Sequence, residues 1–154
     1  MDSIPTRRTR DDERGTALIE FALVLPVLLL VFAGMFDLGM AFQRYQAVTN
    51  AAREGARMAV LPGYAISDVE SRVTAYLTAS GVPGTPTIDV DLPPAPTSIT
   101  PPGGGAPFRI RTVRVRVTHE FTLLGPIATL VGGTFGEVVL TAESVMRSEV
   151  AGGI

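Results

Sequence analysis

The first fifteen residues, MDSIPTRRTRDDERG, are polar and densely charged, and from Thr16 the chain turns apolar. Phe21 to Phe36 holds no charged residue, and Leu38 to Phe42 prolong the run past Asp37. As a helix, Phe21 to Phe42 would be about 33 Å long, enough to cross a hydrocarbon core of about 30 Å. Pro26 lies early in the run, where a kink is tolerated if neighbours satisfy the freed carbonyl. A cleavable secretory signal would have a shorter apolar core and a small-x-small exit. A core helix of a soluble domain is seldom so uniformly apolar. One transmembrane helix is therefore expected over about 21–42, after a hydrophilic leader, residues 1–15, that is not a folded element. Four leader arginines beside the span place the N-terminus inside and the longer C-terminal part outside.

The helical pattern continues beyond the span, so the helix is expected over 16–61. Ala41, Tyr45, Val48, Ala52, Gly55 and Ala59 recur at spacings of four and three, a heptad-like stripe of mainly small side chains. Two readings of this stripe stay open: it seats the chain's own domain, or it packs against helices of neighbouring subunits. Pro62-Gly63 ends the helix.

A second helix follows, with Ser67 and Glu70 as a capping box, Val69, Val73, Tyr76 and Leu77 as its apolar face and Gly81 as its C-terminal stop. TIDVDL (87–92) alternates as a short strand, and Pro93 to Pro107 forms a long Pro/Gly-rich loop. Phe108 to Thr118 is a strand whose apolar parity changes midway, for which a β-bulge near Thr112 is expected. Leu123 to Thr134 is a short helix or turn. Glu137 to Arg147 is a final strand, with Val138, Leu140, Ala142 and Met146 facing inward. The expected fold class is α+β: a long N-terminal transmembrane helix continuing into a small extracytoplasmic domain, 66–150, with one helix packed on a three- or four-stranded, antiparallel sheet.

Composition narrows the chemistry. The 154 residues carry a net charge of -2, so nothing global argues for nucleic-acid binding. Cysteine is absent, which removes disulfides and thiol chemistry. His119, the only histidine, has no cysteine or second histidine to build a metal site or triad with and reads as a strand-end polar residue. Asp89 and Asp91 share a strand face and read as a solvated edge, and PPGGGAP lacks the context of a phosphate loop. The ladder Arg109, Arg111, Arg114 and Arg116 reads as cross-strand pairing and edge protection. No enzyme activity, cofactor or metal is expected.

Glu20 stands out, because a charge at the centre of a membrane helix costs about 2.5–3.5 kcal/mol on insertion scales. The Gly-x-x-x-x-Glu-aromatic start at Gly15–Phe21, the FALVLPVLLL run and the NAAREGAR segment together resemble the N-terminal region of TadE-like proteins of tight-adherence (Flp-type IV) pili. The resemblance spans Arg14 to Val60 and implies cleavage by a prepilin peptidase between Gly15 and Thr16. Glu20 and Phe21 would then be fifth and sixth in the mature chain. Phe21 departs conservatively from the tyrosine of the family's major pilins. The long C-terminal part implies a minor pilin or pseudopilin, with other pilin-like subunits, the tight-adherence secretion machinery, the peptidase and the bacterial inner membrane as partners.

Physical chemistry supports a role for Glu20 beside the resemblance. Cleavage creates an amino group at Thr16, one turn away, with which the carboxylate can pair within a chain or between chains. Asp37 invites either pairing with Arg44 of a neighbour or plain interfacial exposure. In NAAREGAR, Glu54 can reach Arg57 on the helix surface, with Arg53 alongside. The rival readings are an uncleaved single-pass protein whose outer domain binds an envelope partner or ligand, and a secreted soluble domain cut after the apolar run.

Overall fold

The computed structural model describes residues 8–90, 98–104, 108–130, 132–133 and 136–147. Its longest element, α1, is one continuous helix, Arg8–Ala59. It begins inside the stretch expected to be an unstructured leader, a correction with a simple cause: extending an existing helix requires no new nucleus, and Arg and Glu are good helix formers. It ends two residues before the expected boundary, where the Leu61 N–H bonds the Met58 carbonyl at 3.1 Å.

Two environments divide α1. Leu18, Phe21, Val24, Val27, Phe32 and Phe36 are exposed. None of the most apolar window of the helix is buried. A soluble core helix would be covered, so this half is the candidate membrane span. Val48, Ala51, Ala52 and Ala56, by contrast, are completely buried.

The rest of the chain wraps that second half. Helix α2 (Ile66–Ala79) buries Val69, Val73 and Leu77, with its N-cap at Ala65. The expected Ser67–Glu70 capping box is displaced by two positions: the Asp68 carboxylate accepts the Ala65 N–H at 2.8 Å. At the other end the Val82 N–H bonds the Leu77 carbonyl and Gly81 N–H bonds Thr78, a Schellman closure that needs the left-handed φ of +69° at Gly81.

Strands β1 (Thr87–Val90), β2 (Ser98–Ile99), β3 (Phe108–Glu120) and β4 (Glu137–Arg147) form one antiparallel sheet, with helix α3 (Leu124–Leu130) between the last two. β2 lies within the stretch expected to be all loop, and the other residues of 93–107 are described only at 100–104. β3 is central: β4 pairs along most of its length, β1 pairs with Val113–Arg116 and β2 with its start. The β3–β4 register runs without a break from Ile110↔Arg147 to Glu120↔Glu137. The bulge expected near Thr112 is therefore absent from this pairing. The core-facing parity is needed only from Val113 onward, so Ile110 stays half-buried on the other face. The inward parity of β4 is as expected, but only Ala142 is fully buried and Val138 is exposed.

The α+β class and antiparallel sheet hold. However, the core rests on two helices, because the second half of α1 packs on both the sheet and α2. Gly55 marks the junction: a Cβ built there would lie 2.6 Å from Val73 Cγ2 and 3.2 Å from Val113 Cγ1. Both neighbours are β-branched and buried, so neither rotates away easily. Gly55→Val is expected to destabilise the domain by about 1–3 kcal/mol through overpacking, read as a lower denaturant midpoint in detergent-solubilised protein.

Candidate functional site at the membrane end of the domain

Strand β3 runs back along α1 toward the span. Val113 lies beside Gly55, His119 meets Arg44 six residues later in the strand's direction, and Leu123 and Leu124 meet Asp37. Asp37, Arg44, Val48, Ala51 and Gly55 are separated by three, four or seven residues, so the two charges lie in phase with the core side of the helix.

Asp37 is completely buried. Its Oδ2 accepts the Leu123 N–H at 3.0 Å and the Leu124 N–H at 2.7 Å, and Oδ1 lies 3.2 Å from the Leu123 nitrogen. These are first-turn N–H groups of α3, which have no partner within their own helix. The carboxylate thus caps α3 from a distant element. The interfacial exposure expected of Asp37 is corrected, because the end of α3 covers it. Its hydrogen-bond partners belong to its own chain.

Arg44 donates to His119 Nδ1 at 2.5 Å. The imidazole therefore accepts at Nδ1 and carries its proton on Nε2, which is buried and has no hydrogen-bond partner among the described residues. The Phe121 ring stands edge-on to the imidazole, 5.3 Å away at 81°. Burial, and then the Arg44 charge, lower the His119 pKa from its ordinary 6.5, with Asp37 acting in the opposite direction. His119 does lie at the strand end, as expected, but as an internal contact to α1.

The remaining sequence candidates fall into three groups. Gly15, Thr16, Glu20 and Phe21 are exposed on the uncovered half of α1, and Glu20 has no hydrogen bond or ion pair among the described residues. Val48, Ala52 and Gly55 of the small-residue stripe are buried in the chain's own domain, Ala41 and Ala59 are half-buried, and Tyr45 is exposed. The stripe thus seats the domain along its upper length. On the outer surfaces, Arg114 pairs with Glu143 at 2.5 Å and Arg116 with Asp89 at 2.7 Å, the expected cross-strand use of the ladder. Asp91 lies outside the described residues. Glu54 pairs with Arg72 of α2 at 2.9 Å, a correction to the expected Arg57, because α2 crosses this face of α1. Such exposed pairs are worth about 0–1 kcal/mol each. Among the described residues no group of His, Asp and Glu side chains is placed to hold a metal ion.

The Asp37 cap and the Arg44–His119 bond were not foreseen. Their signal was the phase of Asp37 and Arg44, which continue the buried side of the helix downward. A charge in phase with a core needs a buried partner.

The architecture defines a class: one helix long and apolar enough to cross a membrane, continuing unbroken into the core of a small α+β domain. Residues 15–57, a little over a quarter of the chain, match the family model described as TadE-like protein. This is the family that the Gly15–Phe21 and NAAREGAR motifs resemble, and the similarity covers the exposed half of α1 and most of its buried half. No curated protein and no solved structure matches the chain.

Two outcomes follow from the junction. Asp37→Leu leaves two amides without an acceptor and is expected to cost about 1–3 kcal/mol per lost partner, with faster hydrogen exchange at Leu123 and Leu124. Asp37→Asn, which keeps an oxygen acceptor, loses less. Because the folded-state pKa of His119 is depressed, the unfolded chain binds more protons as pH falls. The stability contribution of neutral His119 is complete above about 6.5 and is lost on acidification toward the folded value. Urea midpoints measured between pH 7 and 5 are expected to fall more steeply for the wild type than for His119→Gln.

Proposed function

We propose that the chain is a pilin-like subunit, a minor pilin or pseudopilin, of tight-adherence pilus assembly in the bacterial inner membrane. The observation that carries this reading is the TadE-like match, which begins at Gly15 and covers a bare apolar helix with Glu20 exposed on it. A carboxylate without a partner among the described residues is suited to pairing with a group created or supplied later. Cleavage after Gly15 by a prepilin peptidase would supply the α-amino group of Thr16 one turn away. Pairing of Glu20 with the amine of an adjacent subunit would set the axial register of a helical bundle, a use for which buried ionic groups are known.

The uncovered sides of α1 then pack against other pilin-like subunits, and the domain meets the secretion machinery. The leader lies in the cytoplasm and the domain outside, in keeping with the leader arginines. The work is mechanical and associative, without catalysis or a cofactor.

The test is the N-terminal sequence of protein purified from membranes with and without the prepilin peptidase. A peptidase-dependent start at Thr16 is expected. A start at Met1 in both preparations would overturn processing and favour an uncleaved single-pass protein that binds an envelope partner. Glu20→Leu is expected to insert normally yet abolish recovery of the chain in sheared pilus or assembly fractions, whereas an uncleaved binding protein would tolerate it.

A further inference from the structure

Charged residues are sparse at two places that the fold brings together. Between Gly15 and Arg44 the only charges are Glu20 and Asp37, and between Glu120 and Glu137 there are none. The second stretch contains α3, which touches α1 low on its length: a Cβ at Gly34 would lie 3.8 Å from Leu124 Cδ1, and Asp37 holds the first amides. The charges that bound this stretch share one level. Glu120 is paired directly with Glu137 across the two strands, Arg44 and Glu120 line one cavity, and Arg44 bonds His119.

The position of that level follows from helix length. Glu20 and Arg44 are about 36 Å apart along α1, and Asp37 lies about 10 Å below Arg44. A hydrocarbon core of about 30 Å that begins at Phe21 ends near Ala41. The ring of Arg44, His119, Glu120 and Glu137 then lies at the headgroups, and α3, against Gly34 and Asp37, lies beneath it. Asp37 is buried and fully engaged by two amides, which makes a carboxylate at this depth tolerable.

We propose that the segment from Phe121 to Thr129 seats its outer face in the leaflet on the domain side, as a second, interfacial membrane contact beside the span; this rests on α1 spanning the membrane and not on the pilus reading. The face carries exposed Leu123 and Ile127. Several of its backbone groups are bonded internally, as a low-dielectric setting favours. The Phe121 N–H bonds the Gly136 carbonyl at 2.8 Å, Gly125 bonds Phe121 at 3.2 Å, and Gly133 bonds Ala128 at 2.7 Å. The Thr129 hydroxyl donates to the Pro126 carbonyl at 2.8 Å. An apolar face of this kind sinks about 5–10 Å into the headgroup–acyl boundary. The domain is then held upright on the bilayer by two contacts, the span and α3.

The chain contains no cysteine, so single labels are unambiguous. Leu123→Cys and Ile127→Cys would carry a nitroxide in the full chain, reconstituted into vesicles of phosphatidylethanolamine and phosphatidylglycerol. Leu28→Cys provides a reference within the span and Ser71→Cys one in water. Collision with dissolved oxygen relative to a water-soluble nickel complex is expected to be several-fold higher at Leu123 and Ile127 than at Ser71, approaching Leu28. Nickel access equal to that at Ser71, with Leu28 still in lipid, would overturn the proposal and leave the span intact. Protection from both reagents, the signature of a protein neighbour, would overturn it as well. Either result is independent of whether Gly15 is cut.

Discussion

One unbroken helix has to satisfy two solvents. From Phe21 to Phe36 α1 offers exposed large apolar side chains and no charge, as a membrane span would. Over its second half the side chains become small, so that α2 and the sheet can both approach the backbone. Because the helix does not break, the orientation of the span is rigidly tied to that of the domain. The sheet, α2 and α3 are all positioned by this shared axis.

The transition between the two halves is the chemically richest part of the molecule. Asp37 and Arg44 face the domain side of α1 at the height where burial begins; Arg44 is matched by His119 near the end of β3 and Asp37 by the first amides of α3. The two contacts differ in kind. Asp37 satisfies amides that α3 cannot bond itself, whereas Arg44 holds a neutral imidazole whose other nitrogen has no partner among the described residues. The first fixes a fold element; the second makes the junction sensitive to acid. The TadE-like match spans this junction, which ties the similar segment to the helix and the residues that carry it.

Errors in reading the sequence had common causes. The parity change in β3 looked like a bulge because an apolar residue was assumed to seek the core, but Ile110 lies before the segment that the helices cover. Ser67 and Glu70 have the spacing of a capping box, but Asp68 with the extended Ala65 caps the helix instead. For Glu54 the sequence shows the i+3 neighbour Arg57, whereas Arg72 comes within reach only when α2 crosses α1. In each case a local rule was overtaken by what packed alongside.

Periodicity and run length determined the elements themselves. The candidate span, the long helix beyond it, α2, strands β1, β3 and β4 and their antiparallel class follow from patterns of 3.6 and 2 residues and from Pro/Gly punctuation, which act through local geometry. The Gly15–Phe21 motif and the oddity of Glu20 were likewise legible, because a charge in an apolar run is visible without any fold. What only the tertiary structure decided is which side of α1 is covered, and by what. The burial of Asp37, the Arg44–His119 bond and the close approach at Gly55 join residues 18 to 87 positions apart. Such contacts depend on the register of β3 against the helix, which the core as a whole fixes and no local pattern encodes.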